Sequence, residues 1–176
     1  NIRSSGIDII GDIPWGTHIA QLYSTKVDYY DVLVPYIQVG LMNNELCIWI
    51  YSQNTTYEEV KHMISESVHD VDLYLESGQL VILPYTEWYL EDNCFNEVRV
   101  NQKWNQCIVH ALDGGFDGLR AVADTFWLEK CYSRTFSNYE KNINSMISNL
   151  PFIVVCLYDA NKVDTFEVAD IIMNHS

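Results

Sequence analysis

The chain has 176 residues, 48% of them hydrophobic and 13% aromatic, and a formal net charge of −14 from 24 acidic and 10 basic side chains. That length and apolar content suffice for a sizeable buried core. The acidity disfavours contact with nucleic-acid phosphates or anionic membrane surfaces, and no apolar run reaches the roughly 18 to 20 residues that span a bilayer.

The first strand is expected over 18–23 (HIAQLY). It runs through Ser24-Thr25-Lys26 into a helix with Tyr29, Leu33, Tyr36, Ile37, Gly40 and Leu41 on one face, which Pro35 should kink or delay. A second strand follows over 46–52 (LCIWIYS), then a helix capped by Thr55 or Thr56 with Glu58 and Glu59 in its first turn. The third strand is expected over 79–85 (QLVILPY). The next helix carries Val100, Trp104, Cys107, Ile108 and Ala111 and stops at Gly114-Gly115.

The fourth strand is read over 118–127 (GLRAVADTFW), followed by a helix with Tyr139, Ile143, Met146, Ile147 and Leu150, ended by Pro151. The fifth strand covers 152–159 (FIVVCLYD), and a last short helix places Phe166, Ala169, Ile172 and Met173 on its apolar face. Strands and helices alternate without a repeat or linker. The fold class is therefore α/β, a three-layer arrangement with a mostly parallel central sheet and helices on both faces. We read residues 1–176 as one domain. The opening Asn1 and the closing Met173-Asn174-His175-Ser176 lead us to expect a piece of a longer protein.

Five cysteines, Cys47, Cys94, Cys107, Cys131 and Cys156, form no C-x-x-C pair, and Cys47 and Cys156 lie inside apolar strands. This usage fits a reducing cytoplasm, not a disulfide scaffold.

Ligands of open α/β sheets bind beyond the carboxyl ends of the strands. There the sequence places Tyr23, Tyr51, Asp124, Trp127, Cys156 and Tyr158, an aromatic-rich rim that suits a small, partly apolar molecule better than a polyphosphate. A phosphate-cradling G-x-x-x-x-G-K-[ST] is absent, and the Ser24-Thr25-Lys26 loop after Tyr23 contains no glycine. His18, His62, His69, His110 and His175 show no metal-ligand spacing, so no metal or cofactor is expected, and His18 reads as a structural histidine. Arg120 and Asp124 share one face of their strand. They read either as a structural bridge, with Glu140 as a second acceptor, or as the polar floor of a pocket.

The stretches GTHIAQLY, VPYIQVGLMNNELCIWI, SGQLVILPYTEWYLEDNCF, GFDGLRAVADTFWL, NYEKNINSMI and VVCLYDANKVDTFEVADIIMNHS occur in this order. Together they resemble the successive blocks of the MEDS family, the methanogen/methylotroph DcmR sensory domain, from about Gly6 to His175. The matching positions are Gly16, His18, Tyr23, Gly40, Arg120, Asp124, Trp127, Glu140, Cys156, Tyr158 and Asp159. Asp124 stands where the family pattern has glutamate, and Ser176 where proline usually follows the final histidine. The resemblance implies a RecA/KaiC-like core whose phosphate loop has degenerated. It also implies a non-catalytic input module of a histidine kinase or regulator in methanogens or methylotrophs, sensing a one-carbon or hydrocarbon-derived molecule. The expected partners are that small molecule and an output domain. Association as a homodimer is compatible with this role, although the sequence marks no interface.

Candidate ligand-binding residues are His18, Tyr23, Arg120, Asp124, Trp127, Glu140, Cys156 and Tyr158. A nucleotide-binding ATPase remnant, a thiol redox sensor using Cys156 and a ligand-free protein scaffold stand as the alternatives.

Overall fold

In the computed structural model, residues 2–128 and 133–175 are described, without the side chains of Ser133, Arg134, Thr165 and Phe166. Cys131 and Ser176, both singled out in the sequence, lie outside the described residues.

An N-terminal hairpin of β1 (Ile2–Ser4) and β2 (Asp12–Pro14) precedes β3 (His18–Tyr23) and α1 (Lys26–Met42). Next come β4 (Leu46–Tyr51), α2 (Tyr57–Ser65), α3 (Val71–Glu76), β5 (Leu80–Pro84) and the single turn α4 (Tyr85–Trp88). A small hairpin of β6 (Leu90–Glu91) and β7 (Cys94–Phe95) leads into α5 (Glu97–Asp113). The chain continues through β8 (Leu119–Asp124), α6 (Ser133–Ile147), β9 (Phe152–Asp159) and α7 (Thr165–Asn174).

The five longest strands form one parallel sheet in the order β3-β9-β8-β4-β5. Their near-continuous apolar runs follow from that position, because helices cover both faces. Side chains alternate across the sheet. Cys47, Trp49, Val122, Ile153, Val155 and Leu157 meet α1, α2 and α3 on a first face. Leu46, Ile48, Ile50, Ala121, Val154 and Cys156 meet α4, α5, α6 and α7 on a second.

Thr56 caps α2 in a reciprocal capping box with Glu59. Helix α1 runs from Lys26 to Met42 with Pro35 inside it, so the proline does not delay or end the helix. The carbonyl that loses its donor there belongs to Asp31, which is exposed and can turn to water. Gly40 lets this helix press onto the sheet, since a Cβ there would lie 2.6 Å from Arg120 Cδ and 2.7 Å from Cys47 Sγ.

Strand β8 ends at Asp124, so Thr125, Phe126 and Trp127 belong to the following turn. In α7 the apolar face is rotated from the expected one. Ile171 and Asn174 are buried, whereas Ile172 and Met173 are 65% and 72% exposed.

Candidate functional site

At the corner after β3 the chain closes itself. Thr25 caps α1, its hydroxyl accepting from Asp28 N–H at 3.2 Å while the Asp28 carboxylate accepts from Thr25 N–H at 3.0 Å. Lys26 is paired with Glu59 at 3.0 Å. A phosphate would need those first-turn N–H groups and would meet the Asp28 carboxylate in their place. As folded, this corner presents a carboxylate where a phosphate would sit.

Arg120 is wholly buried on the first face, at the amino-terminal end of β8. Its Nε and Nη2 donate to Glu45, Nη1 to the carbonyls of Ser5 (3.1 Å) and Tyr36 (3.2 Å), and Nη2 also to Ser4 (2.9 Å). The guanidinium lies 4.6 Å above the Tyr36 ring. Its carboxylate partner is thus Glu45, not the expected Asp124 or Glu140. Strand geometry explains the correction: four residues of β8 separate Arg120 from Asp124 by about 13 Å. Glu140 belongs to a helix on the opposite face.

Asp124 accepts from Tyr29 Oη at 3.0 Å and Phe126 N–H at 2.9 Å. Burial raises its carboxyl to about 6 against these hydrogen bonds. Tyr23 packs edge-on to Tyr29 at 5.1 Å and its hydroxyl accepts from Asn54 at 3.0 Å. Trp127 sits on the second face among Tyr89, Phe136 and Phe95, at 4.9, 5.7 and 5.8 Å between ring centres. It is 4% exposed, a core residue and not the rim position expected.

The other four candidates converge on the second face. Ala20 is the register partner of Cys156, so His18, two residues earlier on β3, lies diagonal to the thiol on the same side of the sheet. His18 Nε2 is 3.2 Å from Cys156 Sγ and 3.2 Å from Glu140 Oε2. Cys156 Sγ lies 3.8 Å from Glu140 Oε1. The neighbouring Cys–His pair was not suggested by sequence order.

A fifth residue completes the group: His175, just past α7, places Nε2 3.1 Å from Glu140 Oε2, and its ring centre lies 4.0 Å from that of His18 with the planes tilted by 40°. Tyr158 meets the His175 ring edge-on at 5.8 Å. Sequence reasoning weighed His175 as a metal ligand and set it aside for want of spacing, and its place at the end of a family block was the signal that could have kept it.

Burial alone would raise Glu140, yet His175 and His18 outweigh it and hold the carboxyl at about 2. Burial lowers His18 despite the pull of Glu140. Cys156 and Tyr158 are pushed well above their ordinary values, by burial first and then by the Glu140 charge.

A cavity of about 480 Å³ opens beside this cluster, between α6, α7 and the end of β9. Phe136, Tyr158, Val163 and Ile171 give it apolar walls, while Glu140, Lys141, Glu167, Asp170 and Asn174 supply polar and charged groups. Trp127 packs on Phe136 without lining it, and neither Asp124 nor Arg120 lines it. The cavity therefore lies on one face of the sheet, not along the whole carboxyl-end rim.

A family model described as MEDS, "MEthanogen/methylotroph, DcmR Sensory domain", matches residues 17–176. No curated protein sequence matches the chain. Among solved structures it is similar to a KaiC-like protein from the hyperthermophilic archaeon Pyrococcus horikoshii OT3, with a TM-score of 0.64 and 15% identity over 98% of this chain and 77% of that one. It is also similar to the flagellar accessory protein FlaH from Methanocaldococcus jannaschii, with a TM-score of 0.60 and 15% identity over 94% of this chain and 70% of that one. At that identity the likeness carries the fold alone: a RecA/KaiC-like core, here with a phosphate corner that has lost its glycines.

Proposed function

The chain belongs to the MEDS family of sensory domains, and we propose that it is the non-catalytic input module of a cytoplasmic signalling protein, a histidine kinase or transcriptional regulator of an archaeal methanogen. Its ligand is a small hydrocarbon-derived molecule held in the cavity between α6 and α7. The observation that carries this reading is the cavity itself, about 480 Å³ with apolar walls and a buried carboxylate. That volume lies within the roughly 300 to 1,000 Å³ usual for small-molecule sites. A single-carbon compound would fill a minor part of it, so a molecule of several carbons that also carries polar groups suits it better.

A sensor works by differential affinity for two conformations. Helix α7 is the natural moving part. It rests on α6 through Ile171 and through Asn174, which donates to Ser137 Oγ at 3.3 Å. A ligand between the two helices changes how firmly they meet. The nucleotide-binding alternative loses support at the self-capped corner. The redox alternative loses it at Cys156, whose raised pKa disfavours the reactive thiolate.

The test is a thermal-shift and calorimetric screen of methylated amines, alcohols, halides and short hydrocarbon-derived acids. Ile171→Trp, which fills the cavity, serves as the control. We expect at least one compound to raise the melting temperature of the natural chain and not of the variant. Equal responses in both proteins, or none across the panel, would overturn the reading.

A further inference from the structure

We propose that His18, Glu140, Cys156 and His175 form a binding site for one divalent transition-metal ion of the zinc class. The inference goes beyond the sensory reading and does not depend on which molecule occupies the neighbouring cavity.

The first argument is distance. A tetrahedral ion with bonds of about 2.0–2.1 Å to nitrogen or oxygen and about 2.3 Å to sulfur has donor-to-donor edges of roughly 3.3 to 3.6 Å. The contacts here are 3.1 Å (His175–Glu140), 3.2 Å (His18–Glu140), 3.2 Å (His18–Cys156) and 3.8 Å (Cys156–Glu140). One donor atom from each of the four residues lies within 4.8 Å of every other. The four short contacts are close to those edges, and the wider separations within 4.8 Å need the side chains to draw in slightly around an ion.

The second argument is the direction of lone pairs. His175 Nδ1 is 2.7 Å from the carbonyl oxygen of Ile171. A carbonyl only accepts, so Nδ1 carries the proton, and in the neutral ring Nε2 presents a lone pair. In that neutral form the lone pair faces Glu140 Oε2, acceptor against acceptor, and neither buried atom has an aligned hydrogen bond; a protonated ring would instead pair with the carboxylate, and a cation takes the place of that proton. A cation between them turns the conflict into coordination. The Nδ1–H to backbone carbonyl contact is also the outer-shell bond that orients metal-binding imidazoles.

The third argument is charge and softness. On binding, the Cys156 thiol gives up its proton to solvent, and the resulting thiolate and the Glu140 carboxylate carry two negative charges that a divalent ion neutralises. Two imidazoles, one sulfur and one carboxylate suit zinc, cobalt or nickel. Calcium and magnesium prefer all-oxygen shells, and this cluster offers oxygen from Glu140 alone. The ion would tie β3, β9, α6 and the end of α7 together at the edge of the cavity.

The experiment uses the full chain, stripped with a chelator and titrated with Co²⁺ and with Zn²⁺ alone. We expect one equivalent bound, strong tetrahedral d–d absorption from cobalt, and a thiolate-to-cobalt charge-transfer band that disappears in Cys156→Ser. In His175→Ala, zinc affinity should fall by more than the roughly 10- to 100-fold that loss of an outer-shell partner costs. Melting curves in chelator show whether each variant folds, and the cobalt spectrum of the natural chain decides the matter even where a variant does not. Sub-stoichiometric binding, the absence of a charge-transfer band in the natural chain, or binding unchanged in both folded variants would overturn the proposal. Because the probe is the metal alone, this failure is distinct from failure of the small-molecule screen.

Discussion

Two buried polar groups sit on opposite faces of one sheet, and they are built differently. On the first face, every N–H of Arg120 has an acceptor: Glu45 and three backbone carbonyls. On the second, Glu140 faces two imidazoles and a thiol, with Glu140 Oε2 and His175 Nε2 lacking aligned hydrogen bonds beside a cavity. A buried charge that only supports the fold is driven toward complete satisfaction, because each unpaired group costs free energy. A buried group left incomplete beside an opening is the better marker of function.

The contrast breaks most easily at Arg120. Arg120→Met leaves Glu45 buried with only the half-buried Arg3 nearby, at 2.9 Å. The loss should be roughly 3 to 5 kcal/mol, read as a lower urea midpoint. The double variant Arg120→Met with Glu45→Met should recover much of it, since two apolar chains of similar volume replace the pair. If the single variant is neutral, or the double variant no better, Arg120 is not a closed structural pair.

This pair also shows how far the sequence could be read. Strand positions and the parallel α/β arrangement were legible because apolar runs and capping residues act locally, as with Thr56 and Glu59. The side chain that a buried charge chooses is not local. Glu45 lies 75 positions from Arg120, and only the register Cys47↔Arg120 brings the two ends together. The β6–β7 hairpin was missed because each strand has two residues, although Asp92 and Asn93, with φ of 50° and 60°, are the turn residues such a hairpin needs. The candidate site was half legible. His18, Glu140, Cys156 and Tyr158 were named, but Tyr23, Arg120, Asp124 and Trp127 do not reach them, and His175 was set aside because ligands gathered from separate elements show no spacing in the sequence. In α7 a run of apolar residues, Ile171, Ile172 and Met173, left the buried face ambiguous until α6 selected Ile171.

A second difference between the faces is the sign of their pH dependence. Burial raises Asp124 from 3.8 to about 6, so between those values the folded chain holds a proton that the unfolded chain has released. Its contribution is therefore present below about pH 4 and lost as pH rises through 6, by about 3 kcal/mol. Glu140 is lowered from 4.5 to about 2, so its contribution is present above about pH 4.5 and lost as pH falls through 2. Urea unfolding at intervals from pH 4 to 7 should show this loss in the natural chain and not in Asp124→Asn. Parallel curves for the two proteins would remove Asp124 from the account.

A smaller effect sharpens the second face. Asn174 is buried and its amide donates to Ser137 at 3.3 Å, one tie between α7 and α6. Asn174→Ala should cost about 1 kcal/mol. If α7 is the responsive part, the loss should appear first as faster hydrogen exchange of α7 amides, with β8 and β9 unchanged. Uniformly faster exchange across the sheet would show that α7 opens only with the whole fold.

The smallest effect belongs to the β3–α1 corner, which sides with the satisfied group although it lies at the surface. Thr25 and Asp28 answer each other's backbone N–H groups, and Lys26 is committed to Glu59 at 3.0 Å. Both members of that pair are about half exposed, at 55% and 47%, so water screens their attraction. Lys26→Ala should therefore change stability by less than about 1 kcal/mol. It should also leave ATP handling where the natural chain has it, at background in equilibrium dialysis with magnesium and in turnover assays. A phosphate loop behaves otherwise, because its lysine reaches the bound phosphates and its removal is felt at once. ATP turnover in the natural chain that disappears in Lys26→Ala would show that a corner closed by its own side chains can still open to an anion. Satisfaction of hydrogen bonds would then no longer separate structural polar groups from functional ones in this fold.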